Sequence, residues 1–599
     1  MPSSSLPPPA AEVVPRLAIR DPDGWLKIAS WTTIIACALA VLTFSFGRDQ
    51  GIYALVADGM LNGKVPYRDI WDFKPPGIFF VYSLAQVLFG KNMLAPRVLE
   101  VLAMLANVAI LRRLGGTLFE SRVAGLLGAA IAALIHAEFD FWHTGQPETF
   151  GATLTLLALL MTVEESPRPR VRMAQWFGVG LCFGAAALLK PPLGGGVLVC
   201  AAYAAQQARL RGADLWRCLR DLLWMGLGAV LPVALCLGWF ALKGGLKEMS
   251  WTLGEFTPGY TLLSWEGRRA SDMLYHAIEE LFFKFSAVVA AGVIAEAALP
   301  PLCRREREGL LLTLGIIAIH VTGIAMQGKF FAYHYDATLP IASLIAGVGL
   351  YKLWRRCLVG GLGGALAFFS FVAVAIPMRY AVRDLPQFFW ERCWIRYQYI
   401  LRMAPFDTRE AMDAELSYVA DYNLEADRKL AAEVVQLTRP DEPVFIWGFE
   451  PAVYWLSERQ YASRFIYNVA QRSPWQADYA RKSMMRDLDR TPPRVLIVQT
   501  RDVFPAVTGN TIDSKDSLYD FPELAARIDR EYEFVKRVED FEVMLRRDPN
   551  AIRESELTDD PLAPPLFGWP SADKGRRSPS AGQQGEGGSG GAAGSEVTE

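Results

Sequence analysis

The chain has 599 residues, and its 61 Lys and Arg against 63 Asp and Glu leave a net charge of −2. Hydrophobic residues make up 52% of it and charged residues only 21%, which is more apolar than an ordinary soluble protein. The charge balance excludes a strongly basic nucleic-acid binder, and the apolar fraction excludes a disordered or fibrous protein. The composition therefore indicates a membrane protein with a sizeable polar part.

Apolar stretches long enough to suggest membrane spans all lie before residue 380. A helix needs about 20 mostly apolar residues to cross the hydrocarbon core, and about eleven stretches approach this length. We predict spans at 26–46, 93–112, 121–136, 149–163, 174–189, 191–206, 222–242, 284–301, 309–326, 335–353 and 358–378. Residues 77–90 are also apolar, and we interpret them as a helix at the outer interface or as the slanted start of the next span.

The positions of the arginines predict the orientation of these spans. Every second loop is rich in arginine, as at Arg112 and Arg113, Arg304 and Arg305, and Arg355 and Arg356. Such loops face the cytoplasm. We therefore predict a cytoplasmic N-terminal segment (1–25) in a multi-pass protein of the cell inner (plasma) membrane. Everything after about residue 379 would then be extracytoplasmic.

The sequence after residue 380 changes character. Residues 424–437 have helical spacing, and short apolar runs predict strands at 444–447, 494–498, 532–538 and 541–545. We expect an extracytoplasmic α/β domain over 381–562, following a transmembrane domain over 26–380. Residues 563–599 are rich in Gly, Ser and Pro, which predicts a disordered tail.

The first outer loop, residues 47–76, carries the most informative polar residues. Asp49 follows the first span directly, and a carboxylate at the membrane surface is costly unless it is paired or functional. Lys74 lies at the end of the same loop, in the run Lys74-Pro75-Pro76-Gly77. The alternative for Asp49 is an ordinary interfacial acid paired with Arg48.

The second outer loop, residues 137–148, combines acidic and aromatic residues with a histidine. Glu148 heads the next predicted helix, where the helix dipole favours an anion. It is a candidate for a second active-site carboxylate. The alternative is a helix cap within an aromatic belt.

Further candidates lie at the outer ends of later spans. Lys190 is a cation at the outer end of a span, and a snorkelling lysine is one explanation for its position. His334 and Tyr335 lie at an outer helix end beside Lys329, and an aromatic belt is one explanation for them. The other histidines lack metal-ligand spacing, so no metal is assigned.

Taken in order along residues 26–380, these motifs resemble the GT-C fold glycosyltransferases. The similarity is to the bacterial branch of protein O-mannosyltransferases and the aminoarabinose transferases that modify lipid A (glycosyltransferase families 39 and 83). The matching stretches are Asp49-Gln50-Gly51-Ile52-Tyr53, Gly63-Lys64-Val65-Pro66-Tyr67, Lys74-Pro75-Pro76-Gly77, Phe89-Gly90 with Arg97, Glu148, and 329–340 with His334-Tyr335. The chain departs from the family at Gln50, where family catalysts often have Glu, and at Glu148, where they usually offer Asp.

The resemblance implies a mainly α, polytopic GT-C membrane protein with a C-terminal soluble α/β domain. It implies transfer of a sugar, with inversion, from a polyprenyl-phosphate donor to a protein, lipid or glycan acceptor in the cell envelope. The expected partners include membrane lipid and no nucleic acid. No cofactor is expected, and a divalent cation is not assigned. The implied site residues are the catalytic carboxylates Asp49 and Glu148, the donor-phosphate lysines Lys74 and Lys190, and the groove residues Tyr53, His334 and Tyr335.

Two other classes of protein remain as alternatives. A flippase or transporter of lipid-linked sugars would carry charges in mid-membrane, facing a pathway. The notable charges here cluster on one side instead. A non-catalytic envelope-assembly protein would not need Asp49, Lys74 and Glu148 to converge. The sequence therefore favours a glycosyltransferase and leaves the sugar and the acceptor open.

Overall fold

The computed structural model describes residues 21–281, 287–375, 389–419 and 422–547. Within these ranges, six helical segments are long and apolar enough to cross a membrane: Gly24–Val41, Leu94–Leu118, Pro169–Leu189, Leu215–Lys243, Glu306–Gln327 and Leu339–Ala375. Shorter helices lie between them: Gly77–Phe89, Arg122–Glu138, Pro147–Val163, Gly196–Leu210 and Ala287–Ala298. Each predicted span overlaps a helix, and how many of them cross a membrane stays a prediction.

A break between two predicted spans is present at Lys190. The helix Pro169–Leu189 ends there, and the 3-10 turn Pro191–Gly195 separates it from Gly196–Leu210. Proline lacks the N–H that a continuing helix would need and clashes with the preceding turn. The Lys-Pro-Pro run therefore turns the chain at this point.

The first predicted outer loop contains a helix, Arg48–Leu61, that the sequence did not suggest. The helix begins after Gly47, whose N–H donates a hydrogen bond to Gln50 Oε1 at 2.9 Å. A side chain at Gly51 would put its Cβ 2.9 Å from the Cβ of Ala452. The C-terminal part of the chain thus packs directly on this helix. Because nearly every face of the helix is covered, it has no apolar stripe that a periodicity argument could detect.

Strands are confined to the C-terminal part of the described chain. The pair β1 (Tyr418–Val419) and β2 (Tyr422–Asn423) is followed by a four-stranded sheet of order β3-β4-β6-β5. The strands β3 (Val444–Trp447) and β4 (Val495–Gln499) are parallel, whereas β6 (Phe541–Arg546) is antiparallel to both β4 and β5 (Tyr532–Val538).

The sheet agrees with the predicted strands to within one residue at each end. The helices Leu424–Leu437, Ala477–Arg490 and Pro522–Glu531 accompany it. Glu539, with φ of 48°, forms the turn between β5 and β6. The predicted domain limits at 380/381 and 562, and the predicted tail, lie outside the described residues.

Two large apolar clusters form the core. One joins the membrane-length helices. The other unites the first outer loop with the sheet and includes Ile52, Trp71, Ile446 and Val498. The sheet therefore shares a continuous core with the loop that carries Asp49 and Lys74, and burial of this apolar surface holds the two together.

Candidate active site

Asp49 lies in the first turn of the helix Arg48–Leu61, where the helix dipole stabilises an anion. The neighbouring Arg48 does not serve as its surface partner. Arg48 instead pairs with Glu450 at 2.6 Å, and its guanidinium lies 4.5 Å from the ring centre of Phe504. The alternative of an Arg48–Asp49 interfacial pair is therefore wrong, because Arg48 is buried against the C-terminal part of the chain.

Lys74 is the ionic partner of Asp49. Its Nζ lies 3.4 Å from Asp49 Oδ2. The Lys74 backbone is held at both ends, since its carbonyl accepts from the Tyr67 hydroxyl at 2.7 Å and its N–H donates to Asp72 Oδ2 at 3.3 Å. Burial alone would lower the pKa of Lys74, but the charges of Asp49 and Asp72 outweigh burial and raise it. Lys74 is therefore charged at neutral pH.

Asp72 links the Lys74 loop to the C-terminal part of the chain. Its Oδ1 accepts a hydrogen bond of 2.5 Å from the Tyr467 hydroxyl. Burial raises the pKa of Asp72 to about 6. A carboxylate with this pKa changes charge just below neutral pH.

Glu148 and Lys190 form a second ion pair. Glu148 lies in the first turn of the helix Pro147–Val163, as predicted, and contacts Lys190 at the break described above. The ammonium groups of Lys190 and Lys74 lie 5.8 and 5.4 Å from the ring centre of Tyr333. The two lysines thus approach the same tyrosine ring. Among the described residues, Glu148 Oε2 is buried and receives no hydrogen bond.

An inner cavity of about 480 Å³ opens beside this second ion pair. Apolar side chains such as Leu188, Leu237 and Leu253 form most of its wall. The charged groups on it are Lys74, Glu148, Lys190 and Lys329. An apolar cavity with several ammonium groups suits a ligand that combines a hydrocarbon chain with an anion.

An outer cavity of about 170 Å³ adjoins the inner one. Asp49 and Asp72 line it, together with Phe449 and Phe504 from the C-terminal part. Four residues line both cavities, namely Phe73, Lys74, Tyr260 and Tyr333. Lys74 therefore lies at the junction of a mainly apolar space and a space that contains the carboxylate of Asp49.

The structure separates the two predicted catalytic carboxylates. Asp49 lines the outer cavity with Lys74, and Glu148 lines the inner cavity with Lys190. His334 also lines the inner cavity, and its Nδ1–H donates to the Lys329 carbonyl at 2.6 Å. Burial lowers the pKa of His334 well below its ordinary value, so the ring is neutral.

Tyr53 and Tyr335, predicted as groove residues, line neither cavity. Tyr53 is buried, and its hydroxyl donates to Gln146 Oε1 at 2.8 Å. Tyr335 is buried in the cluster of the membrane-length helices. The 3-10 turn Ala332–Tyr335 turns the ring of Tyr333, not that of Tyr335, towards the cavities.

Sequence reasoning gave no role to three residues of this site: Tyr333, Gln146 and Arg97. Arg97 is fully buried and donates to the Ser45 carbonyl at 2.6 Å and to Thr144 Oγ1 at 3.0 Å. It thereby joins the chain before Asp49 to the second outer loop. The sequence analysis named Arg97 only within a matching stretch, and an arginine inside an apolar stretch was the signal that could have indicated a role. Gln146 offered no such signal.

The arrangement of the helices is that of the GT-C fold. The crystal structure of ArnT from Cupriavidus metallidurans bound to undecaprenyl phosphate has a TM-score of 0.51 at 14% identity, covering 88% of this chain and 99% of that one. The same protein in the apo state gives 0.50 at 14% identity, covering 87% and 97%. The predicted resemblance in fold is confirmed.

Sequence comparison points in the same direction over a shorter stretch. The family model for dolichyl-phosphate-mannose-protein mannosyltransferase matches residues 73–239. The undecaprenyl phosphate-alpha-4-amino-4-deoxy-L-arabinose arabinosyl transferase of Pseudomonas aeruginosa (strain UCBPP-PA14) is 30% identical over 202 residues, 32% of this chain. That alignment spans 35% of the relative's length. The stretch matched by the family model contains Lys74, Glu148 and Lys190.

Proposed function

We propose that this protein is an integral membrane glycosyltransferase. It moves a sugar from a polyprenyl-phosphate donor to an acceptor hydroxyl on the extracytoplasmic side. The observation that carries the proposal is the position of Lys74, which contacts Asp49 at 3.4 Å and lines both cavities. A phosphate-binding cation next to a carboxylate base is what transfer from a lipid phosphate requires.

The donor enters the inner cavity in this proposal. The polyprenyl chain lies against apolar wall residues, and the phosphate lies between Lys74 and Lys190. The fold relative in the crystal structure binds undecaprenyl phosphate, which supports a donor of this class. Glu148 keeps Lys190 in place, and its buried Oε2 is available to a hydroxyl of the donor sugar.

The acceptor enters the outer cavity, where Asp49 acts as the general base. The bond between sugar C1 and the phosphate oxygen breaks as the bond between C1 and the acceptor oxygen forms. The acceptor proton passes to Asp49, and the electron pair of the broken bond stays on the phosphate, where the lysines stabilise it. Attack opposite the leaving phosphate inverts the anomeric carbon. A phosphate leaving group needs no proton, so one carboxylate suffices.

The finer features of the sequence prediction belong to the same proposal. They comprise about eleven membrane spans, a cytoplasmic N-terminus, and an extracytoplasmic α/β domain over 381–562. Both outer loops and the sheet then face the same compartment as the acceptor. The acceptor is a protein, lipid or glycan of the envelope, and no metal is assigned.

Transfer in membranes of a deletion strain tests the proposal. Membranes whose lipid-linked sugars carry a metabolic radiolabel supply the natural donor and acceptor together. Purified wild-type protein should move label from the lipid fraction to an envelope product, which mass spectrometry then identifies. No transfer by folded wild-type protein would refute the proposed function.

Asp49→Asn tests the base directly. The change keeps the shape and removes the basicity, so transfer should fall by roughly 10²–10⁴. Asp58→Asn is the matched control, because Asp58 lies on the same helix, pairs with Lys91 at 3.2 Å and lines neither cavity. Glu148→Gln should be less severe than Asp49→Asn. Near-normal transfer by folded Asp49→Asn protein would show that Asp49 is not the general base. If Glu148→Gln were inactive in the same assay, Glu148 would take the role of the base and Asp49 the supporting role.

A further inference from the structure

Gln146 is held in place by the buried framework of the second outer loop. It precedes the helix Pro147–Val163 and follows Gly145, whose φ of 68° favours glycine. A Cβ at position 145 would lie 3.0 Å from both Arg97 Nη1 and the Tyr82 hydroxyl oxygen. The Tyr82 hydroxyl in turn donates to the Gly145 carbonyl at 2.9 Å. The backbone that presents Gln146 therefore has little room to move.

The amide of Gln146 bridges Tyr53 and Asp49. Its Nε2 donates to Asp49 Oδ2 at 3.2 Å, and its Oε1 accepts from the Tyr53 hydroxyl at 2.8 Å. A carboxylate can only accept hydrogen bonds, so the amide nitrogen must face Asp49. The amide oxygen then faces Tyr53, whose hydroxyl supplies the matching donor. Asp49 thus fixes which end of the amide points at it, and the Tyr53 hydroxyl holds the other end in place.

This arrangement makes the two oxygens of Asp49 unequal. Oδ2 takes both the Gln146 amide and the Lys74 ammonium. Oδ1 receives no hydrogen bond from any residue that the structure describes, and Asp49 lines the outer cavity. One oxygen is therefore anchored and the other is available to a hydroxyl in that cavity.

We propose that Gln146 is a positioning residue for Asp49, held in place by Tyr53, that anchors Oδ2 and directs Oδ1 to the acceptor hydroxyl. The proposal rests on the proposed function, in which Asp49 is the base. It also gives Tyr53 a role different from lining a substrate groove. The anchor matters most when Lys74 turns from Asp49 to the donor phosphate, because the Gln146 amide then remains as the hydrogen bond that holds the carboxylate.

Two substitutions at Gln146 test the hydrogen bond. Gln146→Met has similar length and no donor. Misplacing the base should lower the initial transfer rate roughly 10- to 100-fold, while the dissociation constant for undecaprenyl phosphate stays within about twofold because Gln146 lines neither cavity. The acidic limb of the pH–rate profile should move to higher pH, because a donor to a carboxylate favours its ionised form. Gln146→Glu adds a like charge and should move that limb further.

A pair of tyrosine variants separates positioning from loop stability. Tyr53→Phe removes the hydroxyl that holds the amide oxygen of Gln146, and Tyr82→Phe removes a hydroxyl that donates to the adjacent Gly145 carbonyl. Both tyrosines are buried and support the same loop. We expect Tyr53→Phe to move the acidic limb in the same direction as Gln146→Met, and Tyr82→Phe to leave that limb in place.

The assay is label transfer in deletion-strain membranes across acidic to neutral pH, with folding checked by size exclusion. Wild-type rate and pH profile in folded Gln146→Met would overturn the proposal. Should that variant not fold, equal pH profiles for Tyr53→Phe and Tyr82→Phe would overturn it as well. If Asp49 were not the base, the result would be different, because Asp49→Asn protein would then show near-normal transfer.

Discussion

Lys74→Met tests the contact on which the proposed chemistry depends most. Methionine keeps the length and apolar stem of lysine and removes the charge. The lost contact is one charge-assisted hydrogen bond to phosphate, worth about 1.5–3 kcal/mol. That corresponds to a dissociation constant for the donor lipid that is roughly 10 to 100 times larger. Binding is weakened and not abolished, because Lys190 also lines the inner cavity.

Two further variants frame this measurement. Lys74→Arg keeps the charge but not the geometry, so its affinity should lie between those of wild type and the methionine variant. Lys91→Met is the matched control, because Lys91 pairs with Asp58 on the helix that also carries Asp49. The Lys91–Asp58 distance is 3.2 Å and the Lys74–Asp49 distance is 3.4 Å, and Lys91 lines neither cavity. Its affinity should stay within about twofold of wild type, as for most surface substitutions.

Equilibrium binding of undecaprenyl phosphate to protein in lipid nanodiscs is the assay. It measures the donor lipid without its sugar, so the acceptor and the chemical step do not enter. A Lys74→Met protein with the wild-type dissociation constant would remove Lys74 from the phosphate site. Equal weakening by Lys74→Met and Lys91→Met would attribute the effect to general electrostatics and refute the specific contact.

The remaining predictions concern pH and topology. Folding raises the pKa of Asp72 from 3.8 to about 6, so the folded protein holds this proton more tightly than the unfolded chain. Proton binding by Asp72 therefore stabilises the fold fully below pH 3.8, and this stabilisation is lost as the pH rises through about 6. Asp72→Asn should therefore gain stability relative to wild type between acidic and neutral pH, by about 3 kcal/mol, measured by unfolding in detergent; a pH-independent difference would contradict the burial argument. A reporter fused after residue 380 should be active only outside the cytoplasm, and cytoplasmic activity would overturn the predicted orientation.

Local sequence patterns predicted most of the secondary structure. Apolar length located the membrane-length helices, and the limits of two adjacent spans placed a break at Lys190. Apolar runs bounded by turns located the strands β3 to β6. These signals are local, because the period of the apolar residues and the backbone restrictions of proline act within a few residues. The helix Arg48–Leu61 was not predicted, because it is buried on nearly all sides and its sequence therefore has no periodic apolar stripe.

The candidate site was predicted only as a set of residues, not as an arrangement. Asp49, Glu148 and Lys190 were identified from charge at the outer ends of spans, and Lys74 was identified from the run Lys74-Pro75-Pro76-Gly77 that carries the resemblance. Their pairing was not, since it depends on which helices pack together. Tyr333 and Tyr335 differ by two positions in one turn, and only the packed structure directs the first to the cavities and the second to the core.

The sequence by itself determined where the apolar stretches of membrane length lie, that these stretches are helical, and which loops carry the charges. These properties follow from composition and short-range periodicity. Only the tertiary structure decided that Gln146 reaches Asp49 across 97 positions, and that Glu450 and Tyr467 reach the residues beside Asp49 and Lys74. Contacts between residues so far apart depend on packing and burial of the whole chain, and no local pattern encodes them.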